Sequence, residues 1–324
     1  QRQVLLENGS YLDYDQLIIA TGSRLHAPLE GYDLPGVYNF KSLAAARELV
    51  DHAKIGEVRT ALIVGAGFIG VEVAVLLKSL GLDVTIIEKE WLMPNLLDEE
   101  TAELVRRDLE ARGIVVHEHT EAAQFSGRRR VEGVKLATGD TLVADAYIAA
   151  TGVKPNVAFL EGSGLDIGWG IRVDNRMRTN LPNIWAAGDV AETFDRMSGD
   201  RYVHAIWPNA TAQGEVIGHD ILGFSADYEG AERMNSMKHL GLPVMAVGES
   251  TGEATLRRRN GATLRKIFLD DGKIVGFRLA GDIRGAGTYR ALMLKGTDVT
   301  PFGEDLLDPR FRISRCVSPE VLYH

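Results

Sequence analysis

Hydrophobic and polar positions follow their most regular pattern in the segment that begins at Thr60. A short apolar run predicts a buried strand, a glycine-rich turn follows, and apolar residues then recur on one helix face until Gly81. The alternation then repeats, with Asp98 as the predicted N-cap of the second helix. Strands that alternate with helices are typical of a parallel sheet, so an α/β domain is predicted here. The predicted strands cover 61–64, 83–88 and 114–119, and the predicted helices cover 69–80 and 98–113.

Shorter patterns precede this segment. Asn8-Gly9 separates two strand-like runs, over 4–6 and 11–21, and so predicts a hairpin near the start of the chain. Ser42 is the predicted N-cap of a helix over 43–53, which has an apolar stripe on one face.

Glycine-containing dipeptides also separate strand-like runs later in the chain. Gly139-Asp140 lies between runs over 131–137 and 141–149 and predicts an antiparallel ribbon. Asn260-Gly261 and Asp271-Gly272 separate three further runs and predict a three-stranded meander. The meander strands are predicted over 254–259, 263–269 and 273–280, and a helix is predicted over 289–295.

One segment of the chain repeats another. The six residues from Tyr147 to Gly152 have the same form as those from Leu17 to Gly22, an apolar strand that ends in Ala-Thr-Gly. The second copy closes a unit that begins at Gly65, whereas the first copy has no such beginning. We therefore expect that a nucleotide-binding segment before Gln1 is absent from this chain.

Length and composition describe an ordinary globular protein. The chain has 324 residues, of which 45% are hydrophobic and 25% are charged, and this length suits about two domains. A net charge of −9 opposes general binding to nucleic acid or anionic membranes. No apolar run approaches the ~18 residues that span a bilayer. Because Cys316 is the only cysteine, no internal disulfide forms, and we expect a cytoplasmic location.

The clearest chemical motif is Gly65-Ala66-Gly67-Phe68-Ile69-Gly70, which has the spacing G-x-G-x-x-G. It lies between a predicted strand and helix, and Glu88 ends the next predicted strand, as in a dinucleotide site. The first glycine permits the turn, the second lets the backbone approach a pyrophosphate, and the third lets helix and strand pack closely. Glu88 would accept hydrogen bonds from ribose hydroxyls and repel a 2′-phosphate, so we expect NADH rather than NADPH. The alternatives are a merely tight turn and a solvated strand end.

Other candidate residues carry less chemistry. His117 and His119 are expected to point the same way from a strand, but two histidines without a third ligand predict no metal site. The arginine runs 128–130 and 257–259 adjoin predicted turns and are expected to be solvated, or to receive an acidic redox partner. Cys316 is expected to serve packing only. No constellation of acid, base or nucleophile is present in the sequence, so the catalytic residues are unknown.

Four ordered motifs resemble those of the pyridine nucleotide–flavin oxidoreductases, which include NADH oxidases, coenzyme A disulfide reductases, NADH-rubredoxin reductases and the flavin part of nitrite reductases. The motifs are G-A-G-F-I-G-V-E at 65–72, Ala20-Thr21-Gly22, Ala150-Thr151-Gly152 and Ala187-Gly188-Asp189. The resemblance implies a Rossmann-type NAD domain inserted in a split FAD domain, here incomplete, and a C-terminal α+β domain that often forms a dimer interface. The implied parts are a remnant of the first FAD segment at 1–56, the NAD domain at 57–147, the second FAD segment at 148–229 and the interface domain at 230–324.

The resemblance also implies roles for single residues. Asp189 would bind the ribityl chain of FAD, with Gly188 and Val190 near the pyrophosphate. Trp207 begins a stretch that resembles the approach to the flavin ring, although core packing is an equal alternative. Glu72 would lie by the nicotinamide, although an acid early in a helix is also mildly stabilising. The implied cofactor-binding residues are Thr21, Gly22, Gly65, Gly67, Phe68, Ile69, Gly70, Glu72, Glu88, Gly152, Gly188, Asp189, Val190 and Trp207.

The implied reaction is hydride transfer from NADH to FAD, from which electrons pass to rubredoxin, ferredoxin, a nitrite-reductase centre, oxygen or a disulfide. The implied partner is a small electron-transfer protein or a small-molecule acceptor, and a homodimer is expected. The run 234–241 favours the nitrite and rubredoxin reductase branch. One alternative is a non-catalytic NAD-binding or assembly module that has lost the flavin half. An unsplit dehydrogenase is disfavoured by the paired Ala-Thr-Gly segments.

Overall fold

The alternating strands and helices form a parallel sheet in the structure, a computed structural model that describes residues 2–41, 43–237 and 241–316. Ser42, the predicted cap of the first helix, and residues 238–240 of the run 234–241 lie outside the described residues. The α-helices are α1 (Leu43–Lys54), α2 (Phe68–Ser79), α3 (Glu99–Ala111), α4 (Trp207–Ile221) and α5 (Ala286–Leu294). The strands are β1 (Gln3–Leu5), β2 (Tyr11–Asp13), β3 (Leu17–Ile19), β4 (Ser23–Leu25), β5 (Val37–Tyr38), β6 (Thr60–Val64), β7 (Asp83–Ile87), β8 (Val115–His117), β9 (Ala122–Ser126), β10 (Gly133–Leu136), β11 (Thr141–Leu142), β12 (Ala146–Ala149), β13 (Val153–Pro155), β14 (Ile171–Arg172), β15 (Ile184–Ala186), β16 (Ala191–Phe194), β17 (Arg201–Tyr202), β18 (Met234–Met237), β19 (Val244–Gly248), β20 (Ala254–Asn260), β21 (Thr263–Asp270) and β22 (Lys273–Ala280).

The parallel sheet has the strand order β5-β12-β6-β7-β8, and every neighbouring pair is parallel. This arrangement confirms the predicted α/β fold class. Gly81 and Gly113 follow α2 and α3 with φ angles of +90° and +76°, a backbone conformation that favours glycine and ends a helix. Asp98 caps α3, because its side chain accepts a hydrogen bond from the N–H of Thr101. The local signals at the helix ends therefore acted as predicted.

One predicted strand, over 141–149, is two strands in the structure. Its first part, β11, pairs antiparallel with β10 as expected, but its second part, β12, joins the parallel sheet beside β6. All four residues of β12 are buried, as suits a central parallel strand. Asp145 lies at the break, where its Oδ2 accepts the N–H groups of Arg59 and Thr60 at 3.0 and 2.9 Å. These bonds hold the beginning of β6 beside the beginning of β12.

The chain divides into two units, one within Gln1–Arg24 and Val153–Arg233 and the other within Leu25–Gly152 and Met234–His324. In the first unit the predicted hairpin is formed by β1 and β2, and β3 pairs in parallel with β15. Ile19 and Ala186 of these strands share a buried cluster with Ile217 of α4. Among the described helices, none combines the length and apolar content that crossing a membrane would require.

In the second unit the C-terminal strands share a core with the parallel sheet. They form an antiparallel sheet in the order β18-β19-β22-β21-β20, and the predicted meander β20-β21-β22 is confirmed. Val244, Leu264 and Ala280 of this sheet belong to the same buried cluster as Leu104 and Val105 of α3. Burial of apolar surface therefore stabilises the C-terminal sheet against α3.

An ion cluster reinforces this contact. Glu100, in the first turn of α3, accepts hydrogen bonds from Arg257 Nε at 2.9 Å and Arg259 Nη1 at 3.3 Å, and Lys266 Nζ lies 2.8 Å from its Oε2. Lys266 Nζ also lies 2.5 Å from Asp98 Oδ1. Residues 257–259 are exposed, as expected, and a distant carboxylate in addition engages Arg257 and Arg259. The hydrogen bond from Arg257 is the largest cause that lowers the pKa of Glu100 to about 2.

Replacement of Glu100 should therefore make stability depend on pH. The folded-state pKa of about 2 lies below the ordinary value of 4.5, so the stabilisation is present above pH 4.5 and is lost as the pH falls toward 2. We expect Glu100→Gln to lower the free energy of unfolding by about 1–3 kcal/mol near neutral pH, and the difference from wild type to vanish near pH 2. Urea denaturation at a series of pH values measures this difference.

Glu99→Gln is the matched control, because Glu99 is exposed in the same helical turn. It should change the free energy of unfolding little at any pH. A Glu100→Gln effect that is constant across pH, or equal to that of Glu99→Gln, would contradict the ion cluster.

Candidate functional site

The glycine-rich turn between β6 and α2 is so tight that two of its glycines have no room for a side chain. Gly65 has a φ of +101°, and a Cβ atom there would lie 2.6 Å from the carbonyl oxygen of Ala150. A Cβ atom on Gly70 would lie 2.1 Å from the carbonyl oxygen of Gly65. The first glycine therefore permits the bend, and the third permits α2 to pack against it, as the motif predicted.

Gly67, the middle glycine, faces open space instead. It is the N-cap of α2 without a side-chain capping bond, and no heavy atom lies within 4 Å of an ideal Cβ atom at this position. The main-chain N–H groups of the first helical turn and the helix dipole favour an anion here. The turn thus offers an anionic group close access to its backbone.

Glu88 follows β7 and is hydrogen-bonded directly to this turn. Its Oε2 accepts the N–H of Ala66 at 2.8 Å, and its Oε1 accepts the N–H of Glu90 at 3.3 Å. The carbonyl oxygen of Ala66 accepts the N–H of Met93 at 3.0 Å. Ala66 is therefore held on both sides, and the carboxylate of Glu88 is bonded to the residue that precedes Gly67. A carboxylate has about four lone-pair positions, so it retains capacity for ligand hydroxyls.

Three other predicted residues of this group lie on or beside α2. Phe68 and Ile69 are its first two residues, and Ile69 is 48% exposed. Glu72 is half-buried and is the fifth residue of α2, one turn beyond the helix start. Gly152 has a φ of +117° with no heavy atom near its ideal Cβ position. It belongs to the Ala150-Thr151-Gly152 motif, and Ala150 contacts Gly65. The glycine-rich turn and this Ala-Thr-Gly motif therefore meet in the second unit.

The remaining predicted residues line or adjoin a cavity of about 450 Å³ in the first unit. Asp189 lies in this lining, and its Oδ2 accepts a hydrogen bond from Ser23 Oγ at 2.7 Å. Gly188 has a φ of +75°, and its N–H donates to Gln213 Oε1 at 2.7 Å. Trp207 lines the same cavity and is 85% exposed, which excludes the core-packing alternative for this side chain.

Thr21 and Val190 have other surroundings. The Thr21 hydroxyl donates to the carbonyl oxygen of Asn156 at 3.2 Å, so this side chain supports the loop rather than lining the cavity. The side chain of Val190 is fully buried in the core of the first unit. Only the backbone of Val190 is therefore available to a ligand.

Comparison with known proteins identifies the family. Residues 1–214 match the family model described as pyridine nucleotide-disulphide oxidoreductase. The chain belongs to this family. The resemblance inferred from the four motifs is thereby confirmed.

Individual similar proteins show what share of a longer protein this chain spans. It is 30% identical over 318 residues to the assimilatory nitrate reductase electron transfer subunit of Bacillus subtilis (strain 168), a match that covers 95% of this chain and 40% of that protein. It is 33% identical over 306 residues to the NADH-dependent phenylglyoxylate dehydrogenase subunit epsilon of Aromatoleum evansii, covering 91% of this chain and 72% of the relative. The solved ferredoxin reductase for the CYP199A2 system from Rhodopseudomonas palustris matches with a TM-score of 0.86 at 25% identity, covering 98% of this chain and 79% of that one.

Membership of the pyridine nucleotide-disulphide oxidoreductases implies NAD(H) and FAD, and the glycine-rich turn and the cavity of the first unit each have residues that suit part of these groups. At the turn, a Cβ atom on Gly67 would fill the open space that a pyrophosphate needs. In the first unit the cavity wall includes Gly22 and Gly214, and neither has a heavy atom within 4 Å of its ideal Cβ position. Small residues with one carboxylate, Asp189, suit the large, neutral ring and polyol part of FAD. The turn therefore fits the pyrophosphate of a dinucleotide, and the cavity fits the flavin ring and ribityl chain.

The weaker candidates are placed as follows. β8 ends at His117, and His119 lies beyond it with a φ of +52°, so the expectation that both point the same way from one strand is wrong. The chain turns there because the N–H of His119 donates to Glu90 O at 3.0 Å.

Among the described residues no group of three potential ligands could hold a metal. Arg128, Arg129 and Arg130 are exposed as expected, and Cys316 is half-buried, with its thiol pKa raised by that burial.

Sequence reasoning missed the residues that support the two sites. Ser23 and Gln213 are buried and bond to Asp189 and Gly188 from 166 and 25 residues away. Met93 bonds to Ala66 through its backbone, for which its side chain gives no signal. The sequence held one signal for Gln213. Its helical spacing from Asn209, Val216 and Asp220 places it on the buried face of α4.

The different surroundings of the glycines predict different tolerance to a methyl group. We expect Gly70→Ala to lower the free energy of unfolding by about 1–3 kcal/mol or more, because the added Cβ atom meets a backbone carbonyl. Gly67→Ala should cost less than about 1 kcal/mol, since its Cβ atom meets nothing and only a favourable N-cap is lost. Urea denaturation of both variants measures the contrast. Equal losses would show that the turn is not packed as described.

Proposed function

We propose that the protein takes hydride from NADH and passes electrons through a bound flavin to an electron-transfer partner. The observation that carries this proposal is the open backbone at Gly67, next to Ala66, whose N–H is bound by the carboxylate of Glu88 after the next strand. A family member with this constellation has the elements that bind a pyridine nucleotide. The activity, substrates and partners of the whole protein are all part of the proposal, since the chain spans 40% of its Bacillus subtilis relative.

The second unit would bind NADH. The N–H groups at the start of α2 would hold the pyrophosphate, and Glu88 would accept hydrogen bonds from the adenosine ribose. The hydrogen bond from Ala66 N–H fixes one oxygen of Glu88 beside the turn, so this acceptor is already oriented before the coenzyme binds. A 2′-phosphate would meet the negative charge of Glu88, which favours NADH over NADPH. Glu72 and Gly152 would lie nearer the nicotinamide end of the coenzyme.

The first unit would bind FAD. Asp189 would accept hydrogen bonds from the ribityl hydroxyls, with its own position set by Ser23. Gly188 and the backbone of Val190 would approach the pyrophosphate, and the exposed indole of Trp207 would offer an aromatic face near the ring system. When bound, FAD supplies the two-electron chemistry that accepts hydride and releases electrons to an acceptor. The chain's own residues bind and orient the two cofactors.

The acceptor is proposed to be a small electron-transfer protein. Two of the similar proteins have names that describe electron transfer, the electron transfer subunit of nitrate reductase and the ferredoxin reductase. Rubredoxin-like and ferredoxin-like proteins are therefore favoured over oxygen or a disulfide. The implied division into FAD, NAD and interface segments, and a homodimer, belong to the same proposal.

Replacement of Glu88 tests the NADH site. Glu88→Gln retains an oxygen for the N–H of Ala66 but loses the charge, so we expect NADH to bind about 10- to 100-fold more weakly and the preference over NADPH to shrink. Isothermal titration calorimetry with each coenzyme measures both effects. Glu90→Gln is the control, because this neighbouring carboxylate is exposed and makes no bond to the turn. Unchanged NADH affinity in Glu88→Gln would contradict the proposed role.

Replacement of Asp189 tests the FAD site. We expect the purified protein to take up FAD, with an absorption band near ~450 nm, and Asp189→Asn to weaken FAD binding at least about tenfold, because a charged acceptor becomes neutral. Quenching of flavin fluorescence during titration measures the affinity. Asp200→Asn, an exposed position outside the cavity, is the control. A colourless protein that binds NADH and takes up no FAD would support the alternative of an NAD-binding or assembly module.

A further inference from the structure

A second polar cavity, of about 580 Å³, lies in the C-terminal part of the second unit. Three arginines and one carboxylate line it, Arg258 on β20, Arg265 on β21, and Arg284 and Asp282 before α5. The lining charge is therefore positive in a chain whose net charge is −9. None of these residues belongs to the sites described above, so the cavity needs its own explanation.

Two of the arginines are directly opposite each other in the antiparallel sheet. Arg258 pairs with Arg265 in the register of β20 and β21. Side chains at paired positions lie on the same face, and like charges there are destabilising. Arg257 and Arg259 lie on the other face, where both contact Glu100. On one face of β20 the arginines thus contact a carboxylate of α3, and on the other face two guanidinium groups lie side by side.

Arg265 is fixed in place before any ligand binds. It is 3% exposed, its Nη1 donates to the Tyr289 hydroxyl at 3.2 Å, and its Nη2 donates to Asp282 O at 3.1 Å. Tyr289 is itself held by a hydrogen bond to the carbonyl oxygen of Leu306. With the ion pair from Nη2 to Asp282 Oδ2, at 3.2 Å, these contacts use at most three of the five N–H groups of the guanidinium. Donors therefore remain that are already oriented.

The carboxylate in the cavity cannot neutralise all three arginines. Asp282 is shared, because Arg284 also donates to it in bidentate form at 2.9 and 2.8 Å. Arg258 makes no ion pair within the described residues, and its hydrogen bond runs to the carbonyl oxygen of Glu304 at 3.5 Å. Asp308, which acts on Arg258 at longer range, is engaged by Arg310 at 3.0 Å. Three positive groups and one negative group leave two positive charges along the cavity wall.

We propose that this cavity binds the dianionic phosphate group of a small phosphomonoester. The planar guanidinium groups match the bidentate geometry of phosphate oxygens, and two uncompensated positive charges match a dianion. The volume of about 580 Å³ exceeds the needs of a phosphate ion alone, and Asn260 and Thr263 extend the polar lining toward the ester substituent. Binding would also relieve the repulsion between Arg258 and Arg265.

Calorimetric titration of the full chain with inorganic phosphate and with glucose 6-phosphate tests the proposal, with glucose as the uncharged probe. We expect saturable binding of both phosphates, with glucose 6-phosphate the tighter, and none of glucose. Arg258→Gln should weaken binding at least about tenfold. Arg259→Gln removes the same charge from the adjacent residue on the opposite face, and it should leave the affinity within about twofold of wild type.

Two further measurements separate this site from other causes. Gly67→Ala should retain phosphate binding to the cavity, because the coenzyme turn is a different anion site; loss of all phosphate binding in this variant would assign the signal to the turn and overturn the proposal. In phosphate-free buffer of low ionic strength, the melting temperature of Arg258→Gln should equal or exceed that of wild type, because a repulsive pair is removed. The proposal would be overturned if titration with phosphate gave no saturable heat, or if sodium chloride at the same ionic strength gave the same heat. It would also be overturned if Arg258→Gln and Arg259→Gln lost phosphate affinity equally.

Discussion

The steric limit at the glycine-rich turn is the constraint on which the proposed nucleotide site depends. Gly65 and Gly70 each face a backbone carbonyl at a distance that no side chain could occupy, while Gly67 between them faces open space. The same limit brings β6, α2 and the Ala-Thr-Gly segment after β12 together, because the carbonyl in front of Gly65 belongs to Ala150. A contact between backbones thus decides where the turn stays open, and Glu88 is bonded to this turn through the N–H of Ala66.

The C-terminal sheet has two faces with different electrostatic roles. On one face, Leu264 enters the common core and Lys266 joins Arg257 and Arg259 around Glu100, a carboxylate of α3. On the other face, Arg258 and Arg265 outnumber the available carboxylate, Asp282. Strand alternation by itself produces this asymmetry, because neighbouring arginines in one run must point to opposite faces. One run of three arginines therefore both stabilises an internal contact and leaves a positive cavity.

Prediction from the sequence succeeded where the signals are local and failed where partners are distant. Asp98 caps the start of α3, and Gly81 and Gly113 follow the ends of α2 and α3 as expected, because a cap acts within a few residues of itself. The split of 141–149 depends on Asp145, which accepts hydrogen bonds from Arg59 and Thr60, 86 and 85 positions away. No pattern in the sequence predicts these two partners. Likewise the bond from Ser23 to Asp189 crosses 166 positions. Hydrophobic period alone could not separate β11 from β12, since only one charged residue, Asp145, interrupts the apolar residues from Leu142 to Ala149.

The internal repeat shows how a local signal can still carry long-range information. The hydroxyls of Thr21 and Thr151 each donate to a backbone carbonyl of the same unit, that of Asn156 in the first and that of His26 in the second. Gly22 and Gly152 then both adopt positive φ angles with open space at the Cβ position. Because the hydroxyl fixes the loop and the glycine keeps the backbone accessible, each strand ends in a rigid opening of the kind that a cofactor needs. The two Ala-Thr-Gly motifs are therefore one structural solution used twice, and the six-residue repeat in the sequence corresponds to the same hydroxyl-to-carbonyl bond in both units.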